Sequence, residues 1–515
     1  MKNKLILVIT LLTATLSFAQ ISSIQVDELV NRTLKTFNVP GIAVAIVKDG
    51  KIIHAKGYGV KSILTNEKVD ANTLFGIASN SKAFTSAALA ILVDEGKIKW
   101  DDKVIKHLPN FKMYNDYVTN EFTIRDLLTH RSGLGLGAGD LMIWPGGGNF
   151  TPANIIENLQ YLKPTSAFRT KYDYDNLLYI VAGEVIQSAS GKSWSDFIED
   201  RIMKPLEMNN SAASFVRLKD TTNIIAPHVP IDGKLHVIKR YKDQIFDAAA
   251  GIYSSVNDLS KWTIMQMNSG KYGPENKQLF SQKEHSEMWQ LQTIIPVITK
   301  APYNTHFSGY GLGWFLSDVK GYKQVGHTGG LEGIVTQITL LPELNFGIIV
   351  LTNQQSGAAF SAITNTIKDS YLGIQSEDYV SKYSTNSKES EASADKVTDE
   401  VWARVAKNKD DKIKIDFKSF IGTYKDNWLG EVLLSEKKGK LYFTSKRSPQ
   451  LMGEVFLYKD NNYVVKWDNA FFHADAHLFF ECDATGKAVR ITMKPISELT
   501  DFSYDFQDLD FKRVQ

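Results

Sequence analysis

Ser79-Asn80-Ser81-Lys82-Ala83-Phe84-Thr85-Ser86-Ala87-Ala88-Leu89-Ala90-Ile91-Leu92-Val93 reads as a helix that is apolar nearly all round before Gly96. Such a helix is buried on most sides. Ser79 would stand at its N-terminus, where unpaired backbone N–H groups and the helix dipole favour negative charge on the serine oxygen. Lys82 lies three residues on, one turn away on the same face. Burial disfavours the charged form of an amine, so a buried Lys82 could accept the serine proton. The competing reading is a serine N-cap followed by a lysine reaching out to water. Spacing alone does not decide, because Ser-x-x-Lys recurs at Ser317 with Lys320 and at Ser435 with Lys438, both in polar, turn-like surroundings.

Outward from this helix, the chain opens with helical spacing over residues 27–37, ended by Pro40 and Gly41. Strand-like runs at 41–47 and 51–57 flank Asp49-Gly50, a strong hairpin signal. A second strand-rich block covers 309–316, 322–326, 335–341 and 346–352, with a mainly helical pattern between the two blocks. Strands from both ends around a helical middle predict an α+β fold: one antiparallel β-sheet flanked by helices, with a helical subdomain. Residues 376–415 turn to Ser, Lys, Glu and Asp and read as a polar linker, with helical character only near 401–406. Residues 416–515 alternate short strands with turns, predicting a C-terminal all-β domain.

The 515 residues are 43% hydrophobic and 23% charged, which is too long a chain for a single core. Residues 1–19 carry Lys2 and Lys4, an apolar run, and Ser17 and Ala19 at the spacing of a signal-peptidase site, so a signal peptide and export to the periplasm or outside are expected. The first domain of the mature chain would then be 20–375. No later run is long enough for a membrane span. Loss of the two lysines takes the formal charge from +2 to zero, so no net field would gather nucleic acid. The single cysteine, Cys482, sits among Phe479 and Phe480 and reads as a core thiol.

Two further constellations complement Ser79 and Lys82. Tyr174-Asp175-Asn176 precedes another apolar run from Leu177 and would present a phenol and an amide side by side; a nearby ammonium would draw the phenol toward its ionised form. His327-Thr328-Gly329-Gly330 lies between strand-like runs, where glycines let a substrate backbone come close. Backbone N–H groups of Ser79 and Gly330 could there converge on a developing oxyanion. The bland alternatives are a buried tyrosine and a Gly-rich hairpin turn with an exposed histidine.

Taken together and in this order, Ser79-x-x-Lys82, Tyr174-x-Asn176 and His327-Thr328-Gly329 resemble the three signatures of serine β-lactamases and penicillin-binding proteins. The Tyr-x-Asn form resembles the class C branch, with its D-peptidases and related carboxylesterases, and Leu127-Leu128-Thr129-His130-Arg131-Ser132-Gly133-Leu134 resembles another segment of that branch. The resemblance implies Ser79 as nucleophile, Lys82 as base and Tyr174 as proton relay, with Asn176, His327, Thr328, Gly329 and Gly330 holding substrate. It implies no cofactor and no metal. The implied partner is a small-molecule or peptide substrate, with cell-envelope contact through the C-terminal domain left open.

His327 replaces the lysine of the β-lactamase pattern and supplies a permanent charge poorly. Esters, amides or D-amino-acid peptides are therefore expected ahead of β-lactams. A slow-turnover receptor of the penicillin-binding type and a true class C β-lactamase are the alternatives. Asp175 would either raise the pKa of His327 or face solvent. The Gly-rich stretch 133–148 is expected as a mobile loop near the site, set against a plain surface loop. His473, Asp475 and His477 read as a solvated strand face rather than a metal site. Deleting residues after 376 is expected to leave hydrolysis of a small activated ester within a few-fold.

Overall fold

The computed structural model describes residues 20–411 and 417–514; the expected signal peptide lies outside them. The chain opens with helix α1 (Ser23–Thr36), started by a capping box between Ser22 and Gln25. Strands β1 (Gly41–Lys48) and β2 (Lys51–Gly59) follow, and the turn residues Asp49 and Gly50 both take the positive φ that their hairpin requires.

Five more strands are β4 (Ser308–Tyr310), β5 (Phe315–Val319), β6 (Tyr322–Leu331), β7 (Ile334–Leu341) and β8 (Phe346–Thr352), preceded by the two-residue β3 (Thr293–Ile294). They assemble with the N-terminal hairpin into one eight-stranded antiparallel sheet of order β2-β1-β8-β7-β6-β5-β4-β3. The predicted joining of strands from both ends of the domain is made near one edge, where β1, second in the order, pairs with β8, third, from Ile42↔Thr352 to Lys48↔Phe346. Both strands are buried along almost their whole length, because helices cover the two faces. Helices α1 and α5 (Gly357–Leu372) pack on one side through Val26, Val30, Ile363 and Ile367. On the other, the buried helix α2 (Ser81–Asp94) packs beside α3 (Leu177–Ser190), while α4 (Val256–Met267) covers β1 and β8.

Two strand boundaries differ from expectation. The run 309–316 is two strands, because Gly311 and Gly313 turn the chain, with Gly313 at φ +81° and set against the carbonyl of Lys82. The motif at 327–330 is not a turn: it belongs to β6, in register with β7 as His327↔Ile338, Thr328↔Gln337, Gly329↔Thr336 and Gly330↔Val335.

Beyond Ser376 a polar linker with helical character only near 401–406 was expected, and the helix is far longer. The segment forms a 32-residue helix, α6 (Tyr379–Asp410), about 48 Å long at 1.5 Å per residue. Its composition misled because burial is confined to its ends. Tyr379 bonds Asp369 on α5 at the start, while Val401, Val405 and Asn408 pack on the C-terminal domain. Tertiary anchors at both ends stabilise a middle that propensity alone leaves marginal.

The C-terminal domain is a closed barrel of eight strands: β9 (Gly422–Asp426), β10 (Gly430–Lys437), β11 (Lys440–Ser445), β12 (Met452–Lys459), β13 (Asn462–Trp467), β14 (Ala476–Cys482), β15 (Ala488–Pro495) and β16 (Phe511–Arg513). The first and last strands, weak as sequence signals, close it through Tyr424↔Arg513 and Lys425↔Lys512. Closure leaves no free strand edge. Cys482 is half-buried at the end of β14 rather than in the core.

Candidate functional site

Ser79 sits in a 3-10 turn, Ala78–Asn80, that leads directly into α2. Ala78 takes φ +50°, which turns the chain sharply before the serine. Two polar residues that the motif reading passed over fix this turn to the sheet: Thr336 Oγ1 donates to the Ile77 carbonyl at 2.9 Å, and Asn80 Nδ2 donates to Thr336 Oγ1 at 2.9 Å. A Cβ on Gly329 would fall 2.3 Å from the Ile77 oxygen, so glycine there is required by close approach of the turn to β6. Around Gly330, in contrast, space is open. Pairing of β5 with β6 ends at Phe315↔Gly326, so residues 327–331 have no β5 partner on that side. This is the stretch of strand that passes the serine.

Lys82 is fully buried. Its Nζ lies 3.2 Å from Ser79 Oγ, 2.7 Å from Asn176 Oδ1 and 3.1 Å from the Ala249 carbonyl. Burial pulls the amine down to about 7, outweighing the nearby Asp140 and Asp175, which act to raise it. The lysine therefore does not reach out to water.

Tyr174 lies beside this pair, with Lys82 Nζ 4.8 Å from its ring centre. Burial pushes the phenol well above its usual pKa, so it rests as a neutral hydroxyl; the expected drift toward phenolate is overridden by desolvation. His130 positions this segment. It takes φ +52°, accepts the Asp175 backbone N–H on Nδ1 at 3.1 Å, and packs its ring 4.2 Å from that of Tyr174. The 127–134 segment thus contributes a scaffold residue.

Asp175 neither raises the pKa of His327 nor faces solvent. It is buried and accepts the N–H of Leu177 at 3.0 Å, capping the first turn of α3. His327 is buried as well, and burial followed by the Lys82 charge pulls it down to about 3. Its Nδ1 is 2.5 Å from the Thr328 carbonyl, which only accepts, so Nδ1 carries the proton and Nε2 accepts the Tyr310 hydroxyl at 2.8 Å. The imidazole is neutral and tied on both nitrogens.

The stretch 133–148 is not an exposed loop. It is largely buried because glycine-rich backbone packs between the tyrosine segment and the barrel. Gly137 donates to the Tyr174 carbonyl, and the amides of Gly139 and Leu141 donate to Asp505. It carries Asp140, which sequence reasoning missed for want of any motif. Asp140 Oδ2 accepts from Asn176 Nδ2 at 2.7 Å and from Ser503 Oγ at 2.9 Å, and burial raises its carboxyl to about 8. A polar chain therefore runs from the barrel through Asp140 and Asn176 to Lys82.

The barrel also walls the site. Ser79, Tyr174, Asn176, His327, Thr328 and Gly330 line one cavity of ≈ 590 Å³, whose far side is built by Phe471, Leu499, Asp501, Phe502, Ser503 and Tyr504. Phe502 meets the Tyr174 ring edge to face at 5.7 Å. Residues after 376 therefore form part of the wall of the cavity that holds Ser79. His473, Asp475 and His477 turn to separate partners, the Pro230 carbonyl, the Trp467 amide and Asn462, and among the described residues no cluster of metal-ligating side chains forms.

A helix-borne serine and lysine, a tyrosine from the helical region and a strand passing the serine define the serine-enzyme fold shared by β-lactamases and transpeptidases. The chain belongs to the Beta-lactamase family, whose model matches residues 26–372, and residues 406–513 match a domain of unknown function, DUF3471. It is 31% identical over 363 residues to Unguisins hydrolase ungD' of Aspergillus campestris, covering 67% of this chain and 65% of that protein. It is 29% identical over 337 residues to Protein flp of Staphylococcus aureus, covering 64% of this chain and 63% of that one. The chain thus spans about two thirds of the length of these relatives. The octameric penicillin-binding protein homologue from Pyrococcus abyssi has the same fold, with a TM-score of 0.60 at 21% identity over 96% of this chain and 100% of the other. No helix among the described residues is long and apolar enough to cross a membrane.

Proposed function

We propose that the protein is an exported serine hydrolase that cleaves ester or amide bonds through an acyl-enzyme on Ser79. The observation that carries this reading is the buried Lys82 amine, 3.2 Å from Ser79 Oγ and pulled down to about 7. A neutral amine there accepts the hydroxyl proton as Oγ attacks the substrate carbonyl carbon. The carbonyl π electrons move to oxygen, facing the backbone N–H groups of Ser79 and Gly330. On collapse the C–O or C–N bond breaks, and the leaving group takes the Tyr174 hydroxyl proton, replaced in turn from Lys82. Water then attacks the acyl carbon by the reverse sequence and releases the acid.

Support also comes from relatives whose names describe hydrolases. The neutral His327 leaves no cation at the position of the β-lactamase lysine, which favours esters, amides or D-amino-acid peptides over β-lactams. A panel of short p-nitrophenyl esters, D-alanyl peptides and nitrocefin, run on wild type and Ser79→Ala, tests the reading. Hydrolysis of an ester or peptide that Ser79→Ala abolishes is expected; turnover that survives Ser79→Ala would refute it.

A further inference from the structure

The cavity holds two carboxylates for which the proposed chemistry has no use. Glu332 occupies the turn between β6 and β7, two residues past Gly330, so the two Cα atoms are within about 7 Å. Its Oε1 accepts from the Tyr504 hydroxyl at 3.3 Å and its Oε2 from the Tyr241 hydroxyl at 2.9 Å. Trp144 stacks on Tyr241 with ring centres 4.5 Å apart. The carboxylate is thus fixed between phenols of the two domains and remains half-buried, open to the cavity.

Among the described residues no lysine or arginine offsets it. Of the charges around Glu332 the one that bears on it is Asp501, also on the cavity wall, and burial together with Asp501 raises the Glu332 carboxyl to about 7. Among the described residues that line the cavity there is no lysine or arginine; Lys82 points its amine at Ser79 and Asn176. A desolvated carboxylate with fixed geometry and aromatic neighbours is completed by an ammonium group, through charge-assisted hydrogen bonds and contact with ring faces. The same pair of carboxylates repels a substrate that brings a carboxylate of its own.

We infer that Glu332, with Asp501 at the rim, is the binding site for a protonated primary amine of the substrate, so that the preferred ester or amide carries a free amino group. This rests on the hydrolase reading above for its meaning, but its test does not require turnover. Binding of 2-phenylethylamine and of 2-phenylethanol, its uncharged counterpart, is measured by titration calorimetry at pH 8 on full-length Ser79→Ala protein. The amine is expected to bind at least about tenfold tighter, a difference of ~1.4 kcal/mol. Adding Glu332→Gln should bring the ratio of affinities close to one, and Asp501→Asn should lower it in part. Equal affinities in Ser79→Ala, or a preference that survives Glu332→Gln, would overturn the assignment. If Glu332→Gln does not fold, the amine-to-alcohol comparison in Ser79→Ala decides alone. Failure of Ser79 to be acylated would refute the hydrolase reading and leave this comparison standing.

Discussion

Ser503, carried by the C-terminal barrel, donates to the same Asp140 oxygen that accepts from Asn176, the residue whose other amide atom receives the Lys82 amine. The two domains therefore share one polar chain that ends on the proposed base. Ser503→Ala removes a hydrogen bond to a buried carboxyl already missing a partner on Oδ1. A fall of about 5- to 30-fold in kcat/KM for a p-nitrophenyl ester is expected, matching ~1–2 kcal/mol. Unchanged kinetics would show that the barrel contributes wall and no positioning.

Lys82, the proposed base, is predicted to govern the pH profile. Its folded pKa lies near 7, below the usual lysine value, so the base is armed above pH 7 and protonated below. The kcat/KM for an uncharged ester should rise with pH through an apparent value near 7 and then level off. A profile flat from about pH 5.5 to 8.5 would contradict a titrating lysine at this place.

Tyr310 supplies the hydroxyl that His327 Nε2 accepts, both groups being buried. Tyr310→Phe leaves that nitrogen without a donor, so a loss of about 1–3 kcal/mol is predicted from denaturant unfolding. Stability equal to wild type would mean that water replaces the hydroxyl.

Gly329 and Gly330 are adjacent but constrained differently. A methyl at 329 meets the Ile77 carbonyl, displacing the turn that carries Ser79, whereas position 330 has room. Gly329→Ala should cost roughly 1–3 kcal/mol in unfolding experiments and Gly330→Ala well under 1. Equal costs would show that the turn yields without strain.

Much of this architecture was legible in the residues. The all-round apolar pattern after Lys82 identified a buried helix, and Asp49-Gly50 fixed the first hairpin. What stayed hidden has physical causes. Helix α6 is held by contacts at its two ends, which a local window of polar residues does not show. The 309–316 run looked continuous because the glycines that break it are read equally well as small strand residues. Asp140, Ser503, Tyr504 and Glu332 carry no motif; they meet only because the barrel closes over the domain, and no spacing along the chain records that meeting. The resting charge of Tyr174 was misjudged because attraction to an ammonium was weighed without the larger cost of burial.

The central claim is that Ser79 is a nucleophile armed by Lys82. An uncharged fluorophosphonate, with modified residues mapped by mass spectrometry, measures it directly on wild type and Lys82→Ala. The account predicts a single adduct on Ser79 in the folded wild type, formed at least about 100-fold more slowly without the lysine. An unmodified Ser79 in folded protein, or labelling at the same rate in Lys82→Ala, would contradict it.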